Sequence, residues 1–155
     1  MKNKIIISTI IVILIIILDQ YIKYIFVNGF EFHTKVFSLI LTYNYGIAFS
    51  MLEFLSYYLK YIQLFILSIA IVYIIFNKQI FTEYHIPIAM IFGGGISNIL
   101  DRFTYGGVVD YFYWHYWFDF AIFNLADVII NLSIILILLK QYINYKIDKN
   151  KLKIG

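Results

Sequence analysis

Two aspartates, Asp110 and Asp127, have the types and surroundings that chemistry would use. Asp127 lies in "FNLADVIINL", residues 123–132, and the chain beyond it is almost purely aliphatic as far as Leu139. An Asp at the centre of a lipid-embedded helix costs roughly 2.5–3.5 kcal/mol on insertion scales, and less near an end. Asp110 follows Gly106 and Gly107 in "YGGVVDYF". Neither carboxylate has a basic residue at helical spacing. Brought together in a partly dry pocket, they cannot both ionise easily; one pKa rises and the pair shares a proton near neutral pH. One group can then take a proton from water while the other gives one to a leaving group. This is general acid–base hydrolysis without a covalent intermediate. Asn98 and Asn124 are available to orient the carboxylates or a substrate carbonyl.

The elements that must position these groups lie in a membrane. Of the 155 residues 63% are hydrophobic and only 14% charged, whereas a soluble domain carries about a quarter charged residues. The length allows one integral-membrane domain, residues 1–155. It contains no cysteine, hence no disulfide or thiolate. Four segments can span, about 4–24, 57–76, 85–102 and 122–142, each near the ~20 residues a bilayer requires. The first has Asp19, Gln20 and Tyr21 where a cleavable signal peptide would have small residues, so it reads as an uncleaved helix. Four spans place both termini with Lys2, Lys4, Lys78, Lys140, Lys146, Lys149, Lys151 and Lys153, leaving Lys23, Lys35, Lys60 and Arg102 opposite. The positive-inside rule then puts both termini in the cytoplasm.

A fifth span built from the apolar segment 36–52 would carry the lysine-rich tail across the membrane. Residues 25–56 instead read as an outer, β-like segment, because Phe37, Leu39, Leu41 and Tyr43 alternate with Ser38, Thr42 and Asn44. Residues 103–121 read as an outer loop whose Trp, Tyr and Phe form an interfacial belt or roof a site. Residues 143–155 read as a solvated basic tail with affinity for anionic lipid. The expected fold is a membrane all-α bundle with a small extracytoplasmic β element.

Polar residues gather at one level, under the outer surface. Asp19 and Lys23 end the first helix, Asn98, Asp101 and Arg102 the third, and Asn124 and Asp127 open the fourth, with Asn131 one turn deeper. Asp19–Lys23 and Asp101–Arg102 read as structural ion pairs, Gly93, Gly94 and Gly95 as a site of close helix packing, and Ser97 as a small packing residue. His33, His85 and His115 form no H-E-x-x-H motif, and no G-x-S-x-G elbow is present. A proton-coupled transporter or channel using the same carboxylates as a relay is the alternative reading, and a non-enzymatic assembly factor a further one. Polarity that stops at Asn131 favours a site open to one side.

Five stretches in order resemble the bacterial lipoprotein signal peptidases (signal peptidase II) over nearly the whole chain. "DQYIK" holds Asp19 and Lys23. "NYGIAFS" is similar to N-x-G-A-A-F-S, matching at Asn44, Gly46, Ala48 and Phe49. "GGGISNILDR" is similar to G-G-x-x-G-N-x-x-D-R, giving Asn98, Asp101 and Arg102. "VVDY" and "FNLAD" complete the set with Asp110 and with Asn124, Ala126 and Asp127. Ile47, Ser97 and Tyr111 depart from the family's Ala, Gly and Phe. Of these, Ile47 is bulky enough to narrow a substrate groove, and Tyr111 keeps the ring.

The resemblance implies four transmembrane helices in the bacterial cell membrane and a site near the outer face. The implied activity is removal of the signal peptide from diacylglyceryl-modified prolipoproteins, cutting before the lipidated cysteine. Asp110 and Asp127 would be catalytic, with no metal or other cofactor. Asn44 and Arg102 would lie near the lipopeptide, while Gly46, Asn98, Asp101, Asn124 and Ala126 shape the pocket. The partners implied are the prolipoprotein and membrane lipids, with no nucleic acid and no obligate protein partner.

Overall fold

A computed structural model describes residues 1–47 and 51–154. The chain forms helix α1 (Lys2–Val27), strands β1 (Phe32–His33) and β2 (Phe37–Asn44), a 3-10 turn at Glu53–Leu55, helices α2 (Ser56–Phe76) and α3 (Lys78–Thr104), strand β3 (Val108–Trp114) and helix α4 (Leu125–Ile154). Among the described residues, three helical stretches are long and apolar enough to cross a membrane: Lys2–Val27, Glu53–Phe76 and Leu125–Ile147. Isoleucine-rich sequence of this kind is a mediocre helix former in water. In lipid it has no alternative, because a helix satisfies every backbone group internally.

The third expected span, α3, falls short on composition for a physical reason. It is the bundle's central helix, packed against α1, α4 and, more loosely, α2, and its polar residues are answered by those neighbours rather than by water. Its glycines face different partners. A Cβ on Gly93 would meet Ile15 at 2.9 Å, one on Gly94 would meet the Ala126 carbonyl at 2.9 Å, and one on Gly95 would rest 3.6 Å from Leu67. The close approach expected of the glycine run therefore joins α3 to α1 and α4. α1 answers with a stripe of buried residues, Ser8, Ile15, Asp19, Lys23 and Phe26. α2 buries only Leu59.

α3 and α4 depart most from their expected bounds. α3 begins at Lys78 rather than near 85 and is kinked at Tyr84, shortly before Pro87. Proline has no N–H, so the Glu83 carbonyl lacks its helical donor, and the Lys140 ammonium of α4 supplies one. Lys4 of α1 likewise reaches the Thr82 carbonyl at 2.7 Å. α4 starts at Leu125 rather than 122, and continues to Ile154, through residues expected to form a solvated tail.

The outer element is an antiparallel sheet in the order β1-β2-β3, with an irregularity between Leu39 and Thr42. β2 is the strand that the alternating pattern anticipated. β3 is not: it arises within the segment read as an aromatic loop, entered through a turn at Gly106 (φ +81). Its Tyr111 ring stacks on Phe26 of α1 with centroids 4.3 Å apart, and Val109 is fully buried, fastening the sheet to the bundle. A single bridge between Phe112 and Phe123 then leads the chain into α4.

Candidate active site

The first turn of α4 is closed by a reciprocal cap. The Asn124 side-chain oxygen accepts the Asp127 backbone N–H at 2.9 Å, and the Asp127 carboxylate accepts the Asn124 N–H at 3.3 Å. This is the capping-box arrangement, built here from Asn and Asp. The two N–H groups between them are also satisfied, Leu125 by the Tyr111 hydroxyl at 3.0 Å and Ala126 by Asp19 at 2.9 Å. A helix start with every donor answered has little freedom to move. The extra hydroxyl of Tyr111 thus acts as a cap, which its reading as a retained ring did not foresee.

Asp110 comes from β3 and is 1% exposed. Its carboxylate accepts the Asn124 amide at 2.7 Å and the Asn44 amide at 3.1 Å. On the other side, Asn98 donates to Asp127 at 2.9 Å and its oxygen accepts from Asn124 at 3.1 Å. Two asparagines thus link the carboxylates, and both acids line one cavity of about 340 Å³ with Asn44, Asn98, Arg102 and Asn131. Among the described residues neither is in an ion pair. Burial first, and then the neighbouring Asp127 charge, push the Asp110 carboxyl up from 3.8 to about 7.

Beneath the pair lies a buried cation. The Lys23 ammonium meets Asp19 at 2.7 Å, Asp101 at 2.6 Å and the Asn98 oxygen at 2.8 Å, using all three of its protons. Asp101 also accepts the Val109 N–H at 3.1 Å and the Gln20 amide at 2.7 Å. Each anion beside Lys23 therefore holds the backbone residue that precedes one of the paired aspartates. The expected Asp101–Arg102 ion pair does not form, because consecutive residues on a helix point in different directions. Arg102 donates instead to Gln63 of α2 at 3.0 Å and to the carbonyls of Gly46 and, at 3.5 Å, Asn44. The Asp19–Lys23 pair forms, and Asp101 joins it.

Ser97 does more than pack. Its hydroxyl donates to Asp19 at 2.7 Å and accepts from Gln20 at 3.0 Å. Gly46 places its N–H on the Asn44 oxygen at 3.0 Å, fixing that amide toward Asp110. Ile47 lines the cavity. Ala48 and Phe49, matched in the sequence motif, lie outside the described residues. Gln20 and Gln63 were not read as site residues; each is the one glutamine of a largely aliphatic helix, and that was the available signal.

Fold and site together define a small multi-pass membrane protein with a carboxylate pair where bundle meets sheet. A family model described as signal peptidase (SPase) II matches residues 11–143, and the chain belongs to the signal peptidase II family. It is 44% identical over 135 residues to a lipoprotein signal peptidase of Helicobacter pylori (strain Shi470), covering 87% of this chain and 85% of that relative. It is 45% identical over 129 residues to one from Campylobacter jejuni subsp. doylei, covering 83% of each. A bacterial membrane enzyme solved at 2.3 Å resembles it with a TM-score of 0.73 and 29% identity over 89% of this chain and 88% of that one.

Proposed function

We propose that the chain is an intramembrane aspartyl endopeptidase that removes the signal peptide from diacylglyceryl-modified prolipoproteins, cutting before the lipidated cysteine. The observation that carries this reading is the sharing of one cavity by Asp110 and Asp127, each held by asparagine amides and, among the described residues, neither in an ion pair. Family membership supplies the substrate class. The ionised carboxylate takes a proton from the attacking water while the protonated one hydrogen-bonds the carbonyl oxygen and then passes its proton to the leaving nitrogen as the C–N bond breaks; the proton gained from water leaves the pair singly protonated again. Asn44, Gly46 and Arg102 border the substrate, and Asn98, Asp101, Asn124, Ala126 and the Asp19–Lys23 pair hold the frame. The mechanism asks nothing of a metal or a protein partner.

In this reading α3 also spans, completing four spans of a single domain, with both termini cytoplasmic and the site near the outer face of a bacterial cell membrane. The pocket reaches Gln63 of α2 and Ile130 and Asn131 of α4; a signal helix and acyl chains would reach it from that side within the bilayer, and anchoring supplies proximity before chemistry starts. The relay alternative has less support: the inner cavity between α1, α2 and α3 is lined by Ile5, Val12, Ile71, Ile74 and Phe92 with few polar groups.

Purified wild type and the Asp110→Asn and Asp127→Asn variants, incubated with a lipidated precursor, test the proposal. Both variants should fold, insert and fail to cleave, and the unlipidated precursor should be a poor substrate. Near-wild-type cleavage by either variant would remove the catalytic assignment.

A further inference from the structure

A peptide lying across Asp110 and Asp127 has two ends to accommodate. The cavity described above runs along α4 to Ile130 and Asn131, a direction along the bundle that suits a signal segment. The mature part of the substrate is hydrophilic and must leave toward water. A second cavity, about 380 Å³, begins on Asp110 itself. Asn44, Asp110, Phe120, Ala121 and Ile122 line both, and so form the partition between them.

The far side of this partition has different chemistry. No helix contributes to it; Thr42 and Tyr43 of β2 and the loop carboxylate Asp119 do. Thr42 is the cross-strand partner of Asp110, so the two side chains lie on the same face of the sheet. Asp119 is oriented by the Tyr113 hydroxyl, which donates to one of its oxygens at 2.7 Å. Among the described residues Asp119 has no cationic partner.

We propose that this second cavity receives the residues that follow the lipidated cysteine, and that Asp119 biases it toward substrates carrying a basic side chain there. The assignment rests on the peptidase reading and adds a selectivity to it. The cysteine's own lipid turns back into the membrane, while the next residues pass Asp110 and run between β2 and the 119–122 loop. Asp119 meets the substrate at a distance from the reacting bond and is a specificity residue, not a catalytic one.

Matched lipidated precursors carrying Ser, Lys or Glu at the second and third positions after the cut provide the test. kcat/KM is compared at low ionic strength for wild type, Asp119→Asn and Asp119→Lys. Asparagine keeps the acceptor that Tyr113 needs and removes only the charge. Wild type should favour the Lys precursor over the Glu precursor by roughly two- to fivefold, the scale of an exposed ion pair. Asp119→Asn should level the ranking, Asp119→Lys should reverse it, and ~0.5 M salt should suppress it. An unchanged ranking in all three proteins overturns the proposal. So does an equal loss on every substrate, which would make Asp119 merely structural. If wild type cleaves all three precursors equally, the subsite fails and the peptidase reading stands; if it cleaves none, both fail.

Discussion

Asp19 accepts the backbone N–H of Ala126 at 2.9 Å, joining positions 107 apart in the chain. Asp101 does the same for Val109. The residues so held immediately precede Asp127 and Asp110, and Lys23 sits between the two anions. The relative placement of the paired acids therefore depends on one ammonium buried beneath them.

Replacing that cation should cost stability before it costs chemistry. Lys23→Met preserves length but leaves the Asp19 and Asp101 carboxylates, both 0% exposed, without a counter-charge. Breaking one partner out of a buried ionic cluster costs about 3–5 kcal/mol. Thermal unfolding in detergent should show a markedly lower midpoint. An unaltered midpoint would mean that the cluster is not under load.

Asn98 should behave differently. Its oxygen is engaged by Lys23 and Asn124, which turns its amide toward Asp127. Asn98→Ala leaves a buried acceptor without its donor, at about 1–3 kcal/mol. With that cost falling on Asp127, the proposed cleavage of a lipidated precursor should fall on the order of 10- to 100-fold. Asn98→Asp, which places another anion beside Asp127, should do no better.

The pH dependence follows from Asp110. Burial, reinforced by the Asp127 charge, lets the folded protein keep a proton to about pH 7 that an ordinary Asp releases near 3.8. The rate should therefore decline as pH rises through about 7, when the acid member is lost. Stability carries the same sign. The contribution of Asp110 is complete below 3.8 and is progressively lost up to about 7, because the unfolded chain gives up its proton first. Unfolding midpoints measured across that range should slope downward in wild type and less so in Asp110→Asn.

Adjacent glycines should give opposite results. Gly94→Ala forces a methyl against the Ala126 carbonyl and the Ile130 side chain, each at 2.9 Å, and a helix backbone cannot yield cheaply. Overpacking of this kind costs about 1–3 kcal/mol, and the displaced residue is the neighbour of Asp127. Gly95→Ala meets only Leu67 at 3.6 Å, ordinary contact, and gains up to about 1 kcal/mol of helix propensity. Expression, midpoint and cleavage of the two variants side by side decide the matter.

That the two acids would share one pocket was legible in the sequence because both are unpaired carboxylates at one depth, and β2 because its alternation was plain. The rest was hidden for specific reasons. β3 is aromatic on both faces, so Tyr111, Phe112 and Tyr113 offer no alternation to read. The start of α3 and the end of α4 are polar, and hydropathy measures solvent rather than backbone geometry. Lys23 was matched to the acid four residues away, since nothing local points to Asp101, which only the packing of α1 on α3 brings near. Arg102 was assigned to its neighbour in sequence, whereas its partners come from α2, the end of β2 and Gly46 just beyond it.

The proline kink in α3 has an effect far from where it occurs. It presents the Glu83 carbonyl to Lys140, and the Glu83 carboxylate receives the Asn144 amide at 2.5 Å. The same two helices are joined again by Asn98 and Asp127. Residues 127 and 140 are about 20 Å apart along the axis, so α4 is pinned to α3 at its start and again beyond its midpoint, like a beam on two bolts. A slide of one helical turn, about 5.4 Å, would have to break both attachments at once. The depth at which Asp127 is held is thus governed partly from the opposite end of the bundle.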